Sequence, residues 1–133
     1  MRTLLVAFVL SLSLPAFAQG GKTKIKSNAA EERKAKRADL LAELSLLNTD
    51  RKCEEDSQCE VLEVGVNPCG GPRSYIVVPT TSYNYGKIKA KAKEITAHER
   101  NMTGDDVVSE CSDVKEPNPM CNKEKNCVGE PRK

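Results

Sequence analysis

The chain has 133 residues, with 21 lysines and arginines against 19 aspartates and glutamates, a net charge of +2, and six cysteines. That length supports one domain at most, and the near-balanced charge excludes a nucleic-acid-binding polycation or an acidic tail. There is no tryptophan, and both phenylalanines, Phe8 and Phe17, lie near the start. A large aromatic core and most haem, flavin or nucleotide enzymes are thereby excluded.

Residues 1–18 read as a signal peptide. Arg2 supplies a short positive region, and Leu4 to Leu14 is apolar apart from Ser11 and Ser13. Pro15 breaks the run, and Ala16-Phe17-Ala18 has the small-x-small pattern of a cleavage site. The apolar run is too short to span a bilayer, which takes about 20 residues. The mature chain is therefore expected to begin near Gln19, secreted or periplasmic, with no transmembrane segment.

Residues 19–52 are net basic and hold no cysteine, whereas 53–133 are net acidic and hold all six. Gln19 to Asn28 reads as a mobile leader. From Ala29 the composition turns helical, and Leu40, Leu41, Leu44 and Leu47 form an apolar stripe in the last two turns. Asn48-Thr49-Asp50 ends the helix.

The cysteine-bearing part reads as short strands around one helix. Glu60 to Val66 places Leu62, Val64 and Val66 on one face, and Asn67 to Pro72 is a cluster of turn formers. Tyr75 to Val78 is a second strand, stopped by Pro79, and an antiparallel pair is the simplest arrangement. Lys87 to Lys93 alternates like a strand, yet Tyr85, Ile88, Ala92, Ile95 and Met102 fit a helical stripe better. Ser82 or Thr81 is expected to cap that helix and Gly104 to end it. Val107 to Val114 is a further strand candidate, and Pro117-Asn118-Pro119 turns the chain into a last segment, Met120 to Val128. The expected fold is a small disulfide-stapled α+β domain: a short antiparallel sheet, one central helix, and an N-terminal helical extension.

Cys53, Cys59, Cys69, Cys111, Cys121 and Cys127 read as three disulfides in an exported chain of this size. No C-x-x-C pair is present and His98 is the one histidine, so no metal or other cofactor is expected. Three cysteines precede the central helix and three follow it. If all six pair within the chain, at least one bridge must join the two halves.

Cys53-Glu54-Glu55-Asp56-Ser57-Gln58-Cys59 is a C-x-x-D-x-x-C element, followed by Cys69-Gly70-Gly71-Pro72 and then Tyr75. Together they resemble a group of small secreted bacterial proteins of unassigned function with a C-x-x-D-x-x-C then C-G-G-P-x-x-Y core. The resemblance covers about residues 53–128 and implies an exported, disulfide-bonded domain. The first element is also similar to part of the whey-acidic-protein inhibitor core. The Cys-Cys doublet and eight cysteines of that core are missing here, so its activity does not transfer.

No nucleophile–base constellation is legible, and His98 reads as a helix residue rather than a catalytic one. Asp56 reads as a turn cap. The expected function is a non-enzymatic secreted or periplasmic binding module, inhibitory or otherwise, acting on a protein partner. Its expected binding loop is Gly70, Gly71, Pro72 and Arg73 with Tyr75. The alternative is a structural cell-envelope accessory that meets anionic polymer or membrane through basic helices, with Lys87, Lys89, Lys91 and Lys93 as the docking face. No catalytic residue and no nucleic-acid partner is expected.

Overall fold

The computed structural model describes residues 21–102 and 113–132. The chain folds as an α+β domain of two helices and two small antiparallel sheets. Helix α1 spans Gly21–Leu47 and leads through an irregular segment to a 3-10 turn, Asp56–Gln58. Strand β1 (Cys59–Val64) pairs with β2 (Ser74–Pro79), helix α2 spans Tyr85–Arg100, and a hairpin of β3 (Asn118–Cys121) and β4 (Cys127–Glu130) closes the chain.

The β1–β2 sheet is the middle layer, and strand alternation explains its two faces. Val61 lies opposite Val77 and Leu62 opposite Ile76. On one face Leu62, Val64, Ile76 and Val78 pack against Ile88, Ala92 and Ile95 of α2 and against Leu40 and Leu44 of α1. On the other face Cys59 and Val77 pack with Cys127, flanked by Val61 and Cys121. The β3–β4 hairpin therefore covers the side of the sheet away from the helices. Its fit is close: a Cβ at Gly129 would lie 3.1 Å from Val77 Cγ2 and 2.9 Å from Pro117 Cβ.

The structure departs from the sequence reading in several places. Helix α1 extends back to Gly21, through most of the segment read as a mobile leader. Residues 22–28 hold three lysines and no proline, so nothing there stops the helix that the Ala-, Glu- and Lys-rich stretch from Ala29 favours. Its C-terminal half is also no mere extension, because Leu40 and Leu44 are buried in the main core. Strand β1 stops at Val64, since Gly65 takes φ 74° and turns Val66 out of the ladder. Ser82 does not cap α2 through N2 or N3; Asn84 occupies the cap position and Ser82 Oγ accepts the Asn84 N–H. The expected strand at Val107 to Val114 and the expected stop at Gly104 fall largely outside the described residues, and Val114 lies in no strand.

Two disulfides join the halves of the cysteine-bearing part. Cys53 bonds Cys121 and Cys59 bonds Cys127, each across 68 residues of chain. Cys69 is disulfide-bonded as well, while Cys111 lies outside the described residues. Asp56, read from sequence as a local turn cap, instead accepts the Cys121 N–H at 2.7 Å and so pins the start of the hairpin turn.

Candidate binding surfaces

The loop from Asn67 to Arg73 is built by its own backbone. Asn67 N–H donates to Gly71 O at 2.9 Å, and Gly70 N–H to Asn67 O at 3.0 Å. Asn67 Oδ1 accepts the Cys69 N–H, and Gly70 and Gly71 take φ of 108° and 78°, which glycine adopts without steric cost. Both glycines are exposed, with open space where a Cβ would stand. Pro72 and Tyr75 are half-buried. Arg73 is drawn inward, its Nε donating to Glu99 Oε2 at 3.2 Å. The loop thus brings two glycines to the surface and commits its arginine to the body.

Glu99 is the hub beneath this loop. It is 6% exposed on the core-facing side of α2, where it accepts the Val66 N–H at 2.7 Å. Arg37 of α1 and Arg73 donate to its two oxygens. Burial opposes ionisation here. The Val66 bond and the two guanidiniums outweigh it and hold the carboxyl below the usual carboxylate range. A Cβ at Gly65 would meet Glu99 Oε2 at 2.5 Å, so the turn needs glycine there for space as well as for φ. At the preceding residue, His98 Nε2 donates to the Arg33 carbonyl at 3.0 Å, which ties the ring to α1. Sequence reasoning missed Glu99. The available signal was a carboxylate continuing the Ile88, Ala92, Ile95 stripe at four further residues.

The lysines of α2 are less free than their number suggests. Lys91 bonds Glu43 at 2.6 Å and Glu94 at 2.7 Å, and both contacts raise its pKa, that with Glu43 more. Lys89 bonds Tyr85 Oη at 3.0 Å and Glu60 at 3.3 Å. The Tyr85 hydroxyl in turn donates to Glu60 and lowers that carboxyl's pKa. Lys87 stands over the ring of Tyr83, itself 92% exposed. Among the described residues Lys93 forms no ion pair.

A groove of about 480 Å³ runs between β1 and α2. Val61, Leu62 and Ala92 line it, and Lys89, Lys93 and Arg100 stand along it. Its β1 side is a free strand edge. Thr80 N–H bonds Gln58 O in line with the β1–β2 register. Antiparallel alternation then gives Glu60, Leu62 and Val64 the ladder bonds and turns the N–H and C=O of Val61 and Glu63 outward. The neighbouring outward donors are taken: Cys59 N–H bonds Asp56 O, and Gly65 N–H bonds Thr96 Oγ1 at 3.1 Å. Among the described residues nothing bonds the outward groups of Val61 or Glu63. This edge was not legible from sequence, which carries no record of which side of a strand stays unpaired.

The sulfurs of Cys53, Cys59 and Cys127 lie within 4.8 Å of one another, as metal ligands would, but all three are in disulfides. Among the described residues no helix is long and apolar enough to cross a membrane. No protein-family model matches the chain, and neither a curated protein nor a solved structure shows significant similarity to it.

Proposed function

We propose that the protein is an exported, non-enzymatic binding module that engages a protein partner through the groove between β1 and α2. The observation that carries this reading is the groove itself: an apolar floor, an ionic rim and a free strand edge on one rigid frame. Protein-binding sites combine these features, with apolar contact for affinity and a charged rim for selection. The disulfides point to an oxidising environment, and the signal-peptide pattern of residues 1–18 supports export. The loop at Gly70 and Gly71 lies at the far end of the Glu99 brace and adds a second exposed surface. The likeness to small secreted bacterial proteins of the C-G-G-P type fits the same reading. The envelope-surface alternative draws less support, because Lys89 and Lys91 are already neutralised within the fold.

Photo-crosslinking in the producing cells tests the reading. A crosslinker at position 97, beside the groove, is expected to give a discrete protein adduct, and one at position 123 is not. Adducts at neither position, or equally at both, would overturn it. Intact mass of the exported protein is expected to place the N-terminus at Gln19, and a retained Met1 would remove the compartment claim.

A further inference from the structure

Resting on that reading of the groove, we infer that its occupant is an extended, acidic segment of the partner, added to β1 as a third strand. The backbone supplies the first argument. Val61 and Glu63 present two N–H and two C=O groups along an edge stopped at both ends by internal bonds. An incoming strand satisfies those four groups, as in strand-addition recognition generally. An incoming helix would leave them unpaired.

Charge supplies the second argument. Lys89, Lys93, Thr96 and Arg100 follow one another at helical spacing along the wall opposite the edge. Among the described residues Lys93 and Arg100 have no ion pair, whereas Lys89 is held by Glu60. Glu60 thus answers Lys89 at one end of the groove, and Glu63, which also lines it, lies on the strand positions that face the hairpin side of the sheet. Among the described residues, the Lys93 to Arg100 stretch of the helix wall is therefore positive and unanswered.

Length supplies the third. From position 89 to 100 a helix advances roughly 16 Å at about 1.5 Å per residue. An extended strand covers that in about five residues at ~3.3 Å each. Side chains of the added strand alternate between faces, so every second residue meets α2. The expected ligand is about five residues long, acidic at alternate positions and β-branched between them.

The probe is a capped heptapeptide alternating glutamate and valine. Comparators are its lysine–valine counterpart and a version N-methylated at alternate amides, which cannot form the strand bonds. Titration into the ¹⁵N-labelled mature protein is expected to shift the Val61 and Glu63 amides and slow their hydrogen exchange, with a Kd below ~1 mM. The two comparators are expected to bind at least about tenfold more weakly. Lys93→Glu with Arg100→Glu, both exposed positions, is expected to weaken binding about tenfold or more. Glu63→Pro removes an outward N–H without taking a ladder bond, as edge positions tolerate, and is expected to abolish it. Should Glu63→Pro fail to fold, the double charge variant and the N-methylated peptide still decide.

Equal binding of the N-methylated peptide, unperturbed Val61 and Glu63 amides, or indifference to the charge reversals would each overturn strand addition. A dimer in sedimentation that Glu63→Pro dissociates would give the edge to a second copy and overturn it too. A photo-crosslinked partner at position 97 that the acidic peptide does not displace would refute this inference while leaving the groove reading standing.

Discussion

At Glu99 one carboxylate receives a backbone N–H and two guanidiniums that arrive from different elements, α1 and the loop before β2. Its charge is a condition of the fold. A carboxyl with a depressed folded-state pKa contributes stability that is complete above its unfolded value, about 4.3. That contribution is lost as the pH falls through the lower folded value. Glu99→Gln is expected to cost roughly 3 kcal/mol at neutral pH, the lower end for breaking a buried pair, since both arginines remain about a third exposed. It is also expected to flatten the loss of stability below pH 4, as read by urea melts across pH. Gly65 offers a second measure. Gly65→Ala is expected to cost about 3 kcal/mol or more, since the new Cβ meets Glu99 as well as a left-handed φ. Gly71→Ala, with the same sign of φ but open space around it, is expected to cost only about 1 kcal/mol.

At the scale of elements, α1 carries the clearest test. The sequence suggests that residues 19–38 are dispensable, because they hold few large apolar side chains. The structure gives Arg33 and Arg37 to α2, through the His98 ring and Glu99. Deleting 19–28 is expected to shift the Tm by less than about 2 °C, and deleting 19–38 to lower it by more than about 10 °C, at roughly 4–8 °C per kcal/mol. Calorimetry of the two truncations decides. Much of the element order was legible because periodicity recorded it: Leu62 and Val64, the turn at Asn67 to Pro72, and Ile88, Ala92 and Ile95 all stand as their spacing suggested. What periodicity could not record was partnership. Glu99 carries no signal of its partners in the sequence and Asp56 reads there as a local cap, because Arg37 and Cys121 lie 62 and 65 residues away from them along the chain. The free edge of β1 was hidden for the same reason.

For the whole molecule, the bridges set how the parts stay together. Three cysteines on each side required at least one crossing, and both described bridges cross. The sequence leaves Cys111 for Cys69, and non-reducing peptide mapping is expected to find that pair. Closing a loop of 68 residues stabilises by about 4 kcal/mol in the chain-entropy model. The second bridge then closes only the small ring between the two pairs, so its own share falls to about 3 kcal/mol. Removing one bridge through Cys53→Ala with Cys121→Ala is therefore expected to cost about 3 kcal/mol, and removing both to cost about 6, because the expected Cys69–Cys111 pair still closes most of the long loop. Denaturant melts of the two variants measure the difference.

The closeness of those sulfurs governs how the bridges respond to losing a single partner. Cys53, Cys59 and Cys127 lie within 4.8 Å of one another, so a thiol released at one of them has a disulfide within reach of nucleophilic attack. Exchange proceeds by such an attack through a mixed disulfide. With Cys121→Ser alone, the freed Cys53 thiolate can take either sulfur of the Cys59–Cys127 bridge and expel the other. The purified variant is expected to be a mixture of isomers that interconvert faster as the pH rises toward the thiol's pKa. Acid quenching arrests them for mapping, and a single stable species at pH 8 would contradict the exchange. Native pairing is then a choice among neighbouring sulfurs, set by the Cys121–Cys127 register of the hairpin and by the Lys52–Asn126 bridge that holds the segment of Cys53 against it.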